Sequence, residues 1–244
     1  DNEGNTEELK TITWGLKDAI KEQGNDAKVA KELARTLGVH HNYYHTNTSE
    51  EPIEKIIDRF ILCGEGRIDH LSGYMDGFEI WRKLHEDGVQ GIIRGDEGFG
   101  WSPALSELSV LQSVGCNLCS NIPNLKNITT EYGFSTQELP VDLEMKEGES
   151  LEQWRDRLYH VFRLPTILAA LSDLKFSYVE VINPLLSRSI LHQVRELPDH
   201  LRTDKVLFKS IVNTISPNIA YADKGANLPP RDILRKKEVA NLLK

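Results

Sequence analysis

The chain has 244 residues, of which 39% are hydrophobic and 27% charged, a composition typical of a globular protein with one large domain or two small ones. The net charge of −8 and the lack of a Lys/Arg cluster argue against nucleic acid as the main partner. No apolar run approaches the roughly 18 residues of a membrane span. The N-terminus is polar and acidic rather than a signal peptide, and three cysteines suit a reducing compartment. The sequence therefore predicts a cytoplasmic protein that binds neither nucleic acid nor membrane.

The first part of the chain alternates between strand and helix patterns. Lys10–Gly15 is a short β-rich run that ends at a glycine, which predicts a strand. Asn25 or Asp26 can cap a helix whose apolar residues recur at helical spacing, and Val39–Tyr44 is typical of the next strand. Because the order is strand, helix, strand, we expect a parallel pair with a right-handed crossover.

The same alternation continues as far as Trp101. A helix is expected from Ser49, followed by a shorter helix over Asp76–Glu86. Val89–Ile93 is short, β-branched and bounded by glycines, which favours a buried strand over a helix. The sequence therefore predicts an α/β fold in which residues 1–101 form a Rossmann-like parallel sheet.

The pattern beyond Trp101 predicts a mainly helical second part, residues 102–244. The expected helices are Ser106–Val114, Ser150 to about Arg163, Pro165–Leu174, Ser187–Leu197, one capped by Thr203 or Asp204, and Arg231–Leu243.

An acidic, glycine-rich turn, Gly95–Gly100, follows the strand at Val89–Ile93. Ligands in open α/β sheets bind just past the carboxyl ends of the strands. Asp96 and Glu97 could hold Mg²⁺ there, and the glycines would let the backbone approach a nucleotide. The alternative is an ordinary acidic turn that closes a strand, and these residues alone leave both interpretations open.

Several segments, taken in chain order, match the motifs of one family. They are Thr13-Trp14-Gly15, Asp26–His41 with its Leu37-Gly38, Gly95–Trp101, Arg163-Leu164-Pro165, Glu180–Leu186, Leu197-Pro198, Lys205–Lys209 and Lys224-Gly225 with Pro229. In this order they resemble the synthetase domain of asparagine synthetase and its relatives, which share the PP-loop ATP pyrophosphatase fold. The resemblance covers nearly the whole chain, and the order and spacing of the segments carry it.

The resemblance implies ATP and Mg²⁺ as cofactors. In that family ATP adenylates a carboxylate, pyrophosphate leaves, and ammonia or an amine attacks the acyl-adenylate. Asp96 would then be a Mg²⁺ ligand, Glu97 a metal or substrate-amine contact, and Lys224 the mobile-loop lysine that meets charge on the phosphates. The residues expected to contact adenosine are Thr13, Trp14, Gly15 and Gly95. The implied partners are a small carboxylate substrate and a glutaminase domain or another ammonia source.

The chain also departs from the family pattern. The family's first strand and its S-G-G-x-D-S pyrophosphate loop should precede Thr11, where the printed sequence has neither, so we expect a fragment or an incomplete enzyme. Ile182 stands where the family has Arg, Ser187 where it has Asp, and Lys209 where it has Arg. Lys205 and Lys209 are expected to be charges on a helix surface.

Two functions therefore remain open from the sequence. The first is an ATP-dependent amide-forming ligase or amidotransferase, favoured by the acidic pair and by Lys224. The second is a degenerate family member that acts as a binding or scaffolding module, favoured by Ile182 and Ser187.

Overall fold

The computed structural model describes residues 9–47, 49–69 and 74–223, apart from the side chain of Thr129. The strands are β1 (Lys10–Gly15), β2 (His40–His45), β3 (Gly91–Ile93) and β4 (Glu180–Ile182). The helices of the first part are α1 (Asp26–Thr36), α2 (Ile53–Gly64) and α3 (Glu79–Glu86). Those of the second part are α4 (Glu107–Val114), α5 (Ile128–Tyr132), α6 (Leu151–Leu158), α7 (Ala169–Phe176), α8 (Arg188–Arg195), α9 (Asp199–Arg202) and α10 (Val206–Ile215). The predicted closing helix, Arg231–Leu243, lies outside the described residues. No helix in the described ranges combines the length and the apolarity needed to cross a bilayer.

Strands β1 and β2 form a parallel pair, as the sequence predicted. They run in register from Lys10 opposite His40 to Gly15 opposite His45. Helix α1 connects them, and the Asn25 side chain caps it by accepting a hydrogen bond from the amide of Ala27 at 3.1 Å. Local signals were sufficient here because the cap, the helical spacing and the two short strands all lie within one stretch of chain.

Strands β3 and β4 form a second parallel pair, and only β3 was predicted. Gly91 pairs with Glu180, and Ile93 pairs with Ile182. The expected burial of β3 is only partly correct, because Ile92 is buried but the Ile93 side chain is 76% exposed. Within the described residues the two pairs are separate sheets, so the chain is α/β in the broad sense.

One hydrophobic core joins the two pairs of strands. Ile12 and Trp14 of β1, Ile92 of β3 and Val181 of β4 all pack against the same buried cluster. That cluster also contains side chains of α2, α3 and the second part of the chain, among them Ile56, Phe60, Trp81, Leu84, Leu171 and Leu174. The second part therefore packs directly on the α/β part through apolar contact.

Residues 151–176 form one continuous helical run, whereas the sequence predicted a break at Pro165. Ser150 begins the run with a capping box that it shares with Gln153. The turns widen to π-type over Tyr159–Leu168, and Pro165 lies inside this segment. A proline has no N–H and its ring collides with the preceding α-helical turn, so wider turns accommodate it without ending the helix. One face of this long helix can consequently line a single cavity.

Candidate functional site

A cavity of about 530 Å³ opens at the carboxyl ends of β3 and β4. Because these strands are parallel, the segments that follow them meet at one edge of the sheet, where α/β proteins bind ligands. Arg94, Asp96 and Glu97 line the cavity after β3, and Asn183 lines it after β4. The long helix supplies the opposite wall with side chains spaced three to five residues apart, including Tyr159, Arg163, Leu168, Leu171 and Lys175.

The two carboxylates of the acidic turn each contact a cation. Nη2 of Arg94 donates to Oδ1 of Asp96 at 3.0 Å. Nζ of Lys205 lies 2.5 Å from Oε1 of Glu97. The backbone of Arg94 continues the β3–β4 pairing by donating to the carbonyl of Ile182 at 2.8 Å, which fixes where the turn begins. In the described part of the chain, the closest contact in each ion pair involves one carboxylate oxygen.

Two glycines of this turn are required by close packing within the protein. A Cβ on Gly98 would lie 2.6 Å from Cδ2 of Leu191 and 2.8 Å from Nε2 of His160. Gly100 has a φ of +92°, and a Cβ there would lie 3.1 Å from Cγ of Lys205. By contrast, a Cβ on Gly95 would meet no atom within 4 Å, so the backbone there faces open space.

The segment before α10 anchors the acidic turn. The amide of Gly100 donates to the carbonyl of Arg202 at 2.8 Å, and the amide of Lys205 donates back to the carbonyl of Gly100 at 3.0 Å. Asp204 and Lys205 both have positive φ, at 51° and 56°, which is a strained conformation for residues other than glycine. This backbone orients Lys205 toward Glu97. Lys205 is half exposed, but it precedes α10 rather than lying on the helix surface as predicted, and its ion pair with Glu97 was not predicted.

His160, on the long helix, contacts the acidic turn. Its Nε2–H donates to the carbonyl of Gly98 at 2.8 Å, while its buried Nδ1 has no hydrogen-bond partner among the described residues. Burial lowers the pKa of His160, and the positive charges of Arg195 and Arg202 act in the same direction. The imidazole is therefore held neutral with its hydrogen bond directed at the turn.

Lys175 lies on the inner wall of the cavity with 6% of its surface exposed. Its Nζ is 5.3 Å from the centre of the Trp81 ring and 5.9 Å from that of Tyr74. Burial lowers the pKa of Lys175 to about 8; the charge of Arg94 adds to this shift, and that of Asp96 opposes it. The protein therefore holds an ammonium group in a poorly hydrated place.

The remaining cation of the cavity, Arg163, is already paired. Its guanidinium binds Asp69 with two hydrogen bonds, of 2.6 Å and 3.2 Å. Burial raises the pKa of the neighbouring Tyr159 to about 12, so its phenol stays protonated at neutral pH. The positive charge of Arg163 is therefore already paired with the carboxylate of Asp69.

The sequence predicted the acidic turn as a binding site, and the turn does line the cavity. Asp96 and Glu97 are part of the lining, and Gly95 lies between Asp96 and Arg94. Lys224 lies outside the described residues, so its role stays a prediction.

The residues predicted to contact adenosine from β1 lie outside the lining of this cavity. The hydroxyl of Thr13 lies 3.1 Å from Nε2 of His41. Trp14 packs edge-on against Trp81 with the ring centres 5.7 Å apart. The carbonyl of Gly15 accepts a hydrogen bond from the amide of Thr46 at 2.9 Å. Their proposed contact with adenosine stays a prediction.

The donor set of the cavity fits Mg²⁺ that arrives with a nucleotide. Magnesium is usually bound through one or two carboxylates together with phosphates and waters. Asp96 and Glu97 supply two carboxylates. Among the described residues there is no group of three or more His, Cys, Asp or Glu side chains that could hold a metal ion by themselves.

Sequence reasoning missed several side chains of the cavity, namely Arg94, Arg163, Lys175 and Asn183. For Lys175 a signal was available, because it continues the apolar spacing of Leu168 and Leu171 on the helix. A lysine on an apolar helical face indicates a charge directed into the protein. Asn183 carried no such signal; it follows the end of β4, and its buried Oδ1 has no hydrogen-bond partner in the part of the chain that the structure describes.

No protein-family model, curated protein or solved structure matches this chain.

Proposed function

We propose that the protein is an ATP-dependent amide-forming domain of the asparagine synthetase type. It adenylates a carboxylate, releases pyrophosphate and transfers the acyl group to ammonia or an amine. One observation carries the proposal: the acidic turn after β3 lines a cavity of about 530 Å³ together with Arg94, Arg163 and Lys175. This chemistry needs carboxylates for Mg²⁺ and cations for phosphate and carboxylate charge, and the volume falls within the usual range for small-molecule sites.

The proposed roles follow from chemistry and from the resemblance. Asp96 binds Mg²⁺, and Glu97 binds the metal or the attacking amine. Arg94 and Arg163 contact anionic groups of the substrates, and Lys224 stabilises charge on the phosphates. The residues proposed to contact adenosine are Thr13, Trp14, Gly15 and Gly95.

The proposal also includes a specific fold for the α/β part of the chain. We assign the four strands to a PP-loop ATP pyrophosphatase sheet, because all their pairings are parallel and because side chains of all four pack against one core. The separation into two pairs is compatible with a further strand between them.

A second candidate is a catalytically degenerate module that only binds a ligand or a partner. The ion pairs favour it, because Asp96 and Glu97 each have one oxygen engaged by a cation. Ile182, which stands where the family has Arg, is an apolar side chain 46% exposed at the end of β4.

Calorimetry with ATP–Mg²⁺ separates the two candidates. It is performed on the full-length protein, and ATP–pyrophosphate exchange is measured on the same preparation. We expect Asp96→Ala to abolish exchange, with a loss of stability of under about 1 kcal/mol because the Arg94–Asp96 pair is partly exposed. Asp58→Ala, at an exposed position of α2, is the matched control. Absence of both ATP binding and exchange would exclude the enzyme and leave the binding module.

A further inference from the structure

The contacts described so far do not explain why the ammonium group of Lys175 is buried in the cavity. It is 6% exposed, yet in the part of the chain that the structure describes its Nζ makes no hydrogen bond or ion pair. Its contacts are instead the faces of Trp81 and Tyr74. A buried ammonium is costly unless something compensates its charge, so a retained one indicates a missing counter-ion.

The charges around the cavity otherwise balance in pairs. Arg94 is paired with Asp96, Arg163 with Asp69, and Glu97 with Lys205. This leaves a single positive charge, that of Lys175, without a counter-ion among the described residues. A partly apolar cavity with one net positive charge matches a ligand that carries one negative charge. A polyphosphate without Mg²⁺ would bring further negative charge close to Asp96 and Glu97.

Other polar and apolar groups of the same cavity restrict the chemistry of the ligand. Among the residues that the structure describes, the buried Oδ1 of Asn183 has no hydrogen-bond partner, so it can accept a hydrogen bond from a ligand. Leu164, Leu168 and Leu171 line the same cavity and can cover an apolar part of the ligand. The cavity therefore fits a small acid that carries a hydrogen-bond donor in addition to its carboxylate.

We propose that Lys175 and Asn183 form a binding subsite for a small carboxylate monoanion that also carries a hydrogen-bond donor. Lys175 binds the carboxylate, and Asn183 accepts the hydrogen bond from the donor. The inference rests on the proposed function only in naming this ligand as the acyl substrate; the subsite itself follows from the contacts and the charges.

The test measures the Lys175 amine directly. Lysines of the intact chain are dimethylated with ¹³C-formaldehyde and a borohydride reductant, and their methyl resonances are followed by NMR as pH and ligand are varied. The Lys175 resonance is the one absent from both Lys175→Arg and Lys175→Met. Two assignment variants guard against misfolding of either one, and Lys175→Arg retains the positive charge.

The probes are L-lactate, acetate and inorganic pyrophosphate at matched ionic strength. We expect lactate to raise the pKa of Lys175 and acetate to do so more weakly, while the Lys209 resonance stays unchanged. Lys175→Met should weaken lactate binding about tenfold or more, as expected for a hydrogen bond between charged groups. Asn183→Ala should reduce the lactate response to that of acetate.

The outcomes that contradict the subsite are equally definite. A response to pyrophosphate larger than that to lactate would make Lys175 a phosphate contact and overturn the carboxylate assignment. No response to any probe would remove the subsite altogether. Because the titration contains no ATP, a lactate response without ATP binding would leave the subsite standing while the proposed function fails. ATP binding without a lactate response would remove the subsite and leave the proposed function standing.

Discussion

Nζ of Lys205 lies 2.5 Å from Oε1 of Glu97 and ties the acidic turn after β3 to the residue that precedes α10. The same two segments exchange backbone hydrogen bonds through Gly100 and Lys205. The turn is therefore fixed by backbone contacts, while the ion pair sets how much negative charge the turn presents to a ligand.

Lys205→Met should strengthen Mg²⁺ binding. Removing the cation leaves Glu97 without its counter-ion, and an interaction of about 1 kcal/mol between exposed charges corresponds to roughly a fivefold gain in affinity. Manganese binding followed by paramagnetic resonance, with Mn²⁺ replacing Mg²⁺, measures the change. Lys209→Met, in α10 with its Nζ over the Tyr221 ring, is the control. Weaker metal–nucleotide binding in Lys205→Met would instead make Lys205 a phosphate contact.

Lys175→Met should stabilise the protein at neutral pH, and the gain should shrink as pH rises. The pKa of Lys175 is lowered from 10.5 to about 8, so between these values the unfolded chain binds more protons than the folded one. The contribution of Lys175 to the free energy of unfolding of the wild type therefore rises with pH across that window, by up to about 3 kcal/mol. Urea unfolding of both proteins from pH 7 to 10.5 measures the difference. A stability difference between the two proteins that is independent of pH would show that burial of the charged Lys175 does not destabilise the folded state.

Gly100→Ala and Gly95→Ala should separate a structural glycine from a ligand-facing one. Gly100 has positive φ and little space for a Cβ, so its substitution should cost about 1–3 kcal/mol of stability. Gly95→Ala should leave stability nearly unchanged, because no atom lies within 4 Å of the added Cβ. If Gly95 contacts adenosine through its backbone, ATP affinity should fall in that variant alone. Equal ATP affinity in wild type and Gly95→Ala would remove Gly95 from the site.

Arg202→Met should destabilise the protein strongly. Arg202 is 1% exposed and its guanidinium contacts the carboxylates of Asp156 and Asp199. Removing one partner of a buried ion pair costs about 3–5 kcal/mol, because the other charge stays buried. The double variant Asp156→Leu with Arg202→Met should recover part of the loss, and urea unfolding measures both. Arg82→Met, which breaks an exposed pair with Glu86, should cost under about 1 kcal/mol. A similar loss in Arg202→Met and Arg82→Met would contradict the role of burial.

The sequence by itself determined the elements whose signals are local. Strand β1, helix α1 with its Asn25 cap and strand β2 follow from spacing and capping within one short stretch, and so does the position of the acidic turn after β3. The backbone of a short segment chooses among few conformations, and glycines, caps and periodicity decide that choice before any distant contact forms.

Only the tertiary structure decided what surrounds that turn. Strand β4 has three residues and is a strand only because β3, distant in sequence, pairs with it. The helical run passes Pro165 because packing on both sides favours continuous wide turns over a break. Lys175 faces Trp81, Tyr74 and the turn after β3 only because the long helix packs across the end of that strand pair. A cavity depends on which distant segments meet, and in a single sequence the pairing of distant segments leaves no local pattern.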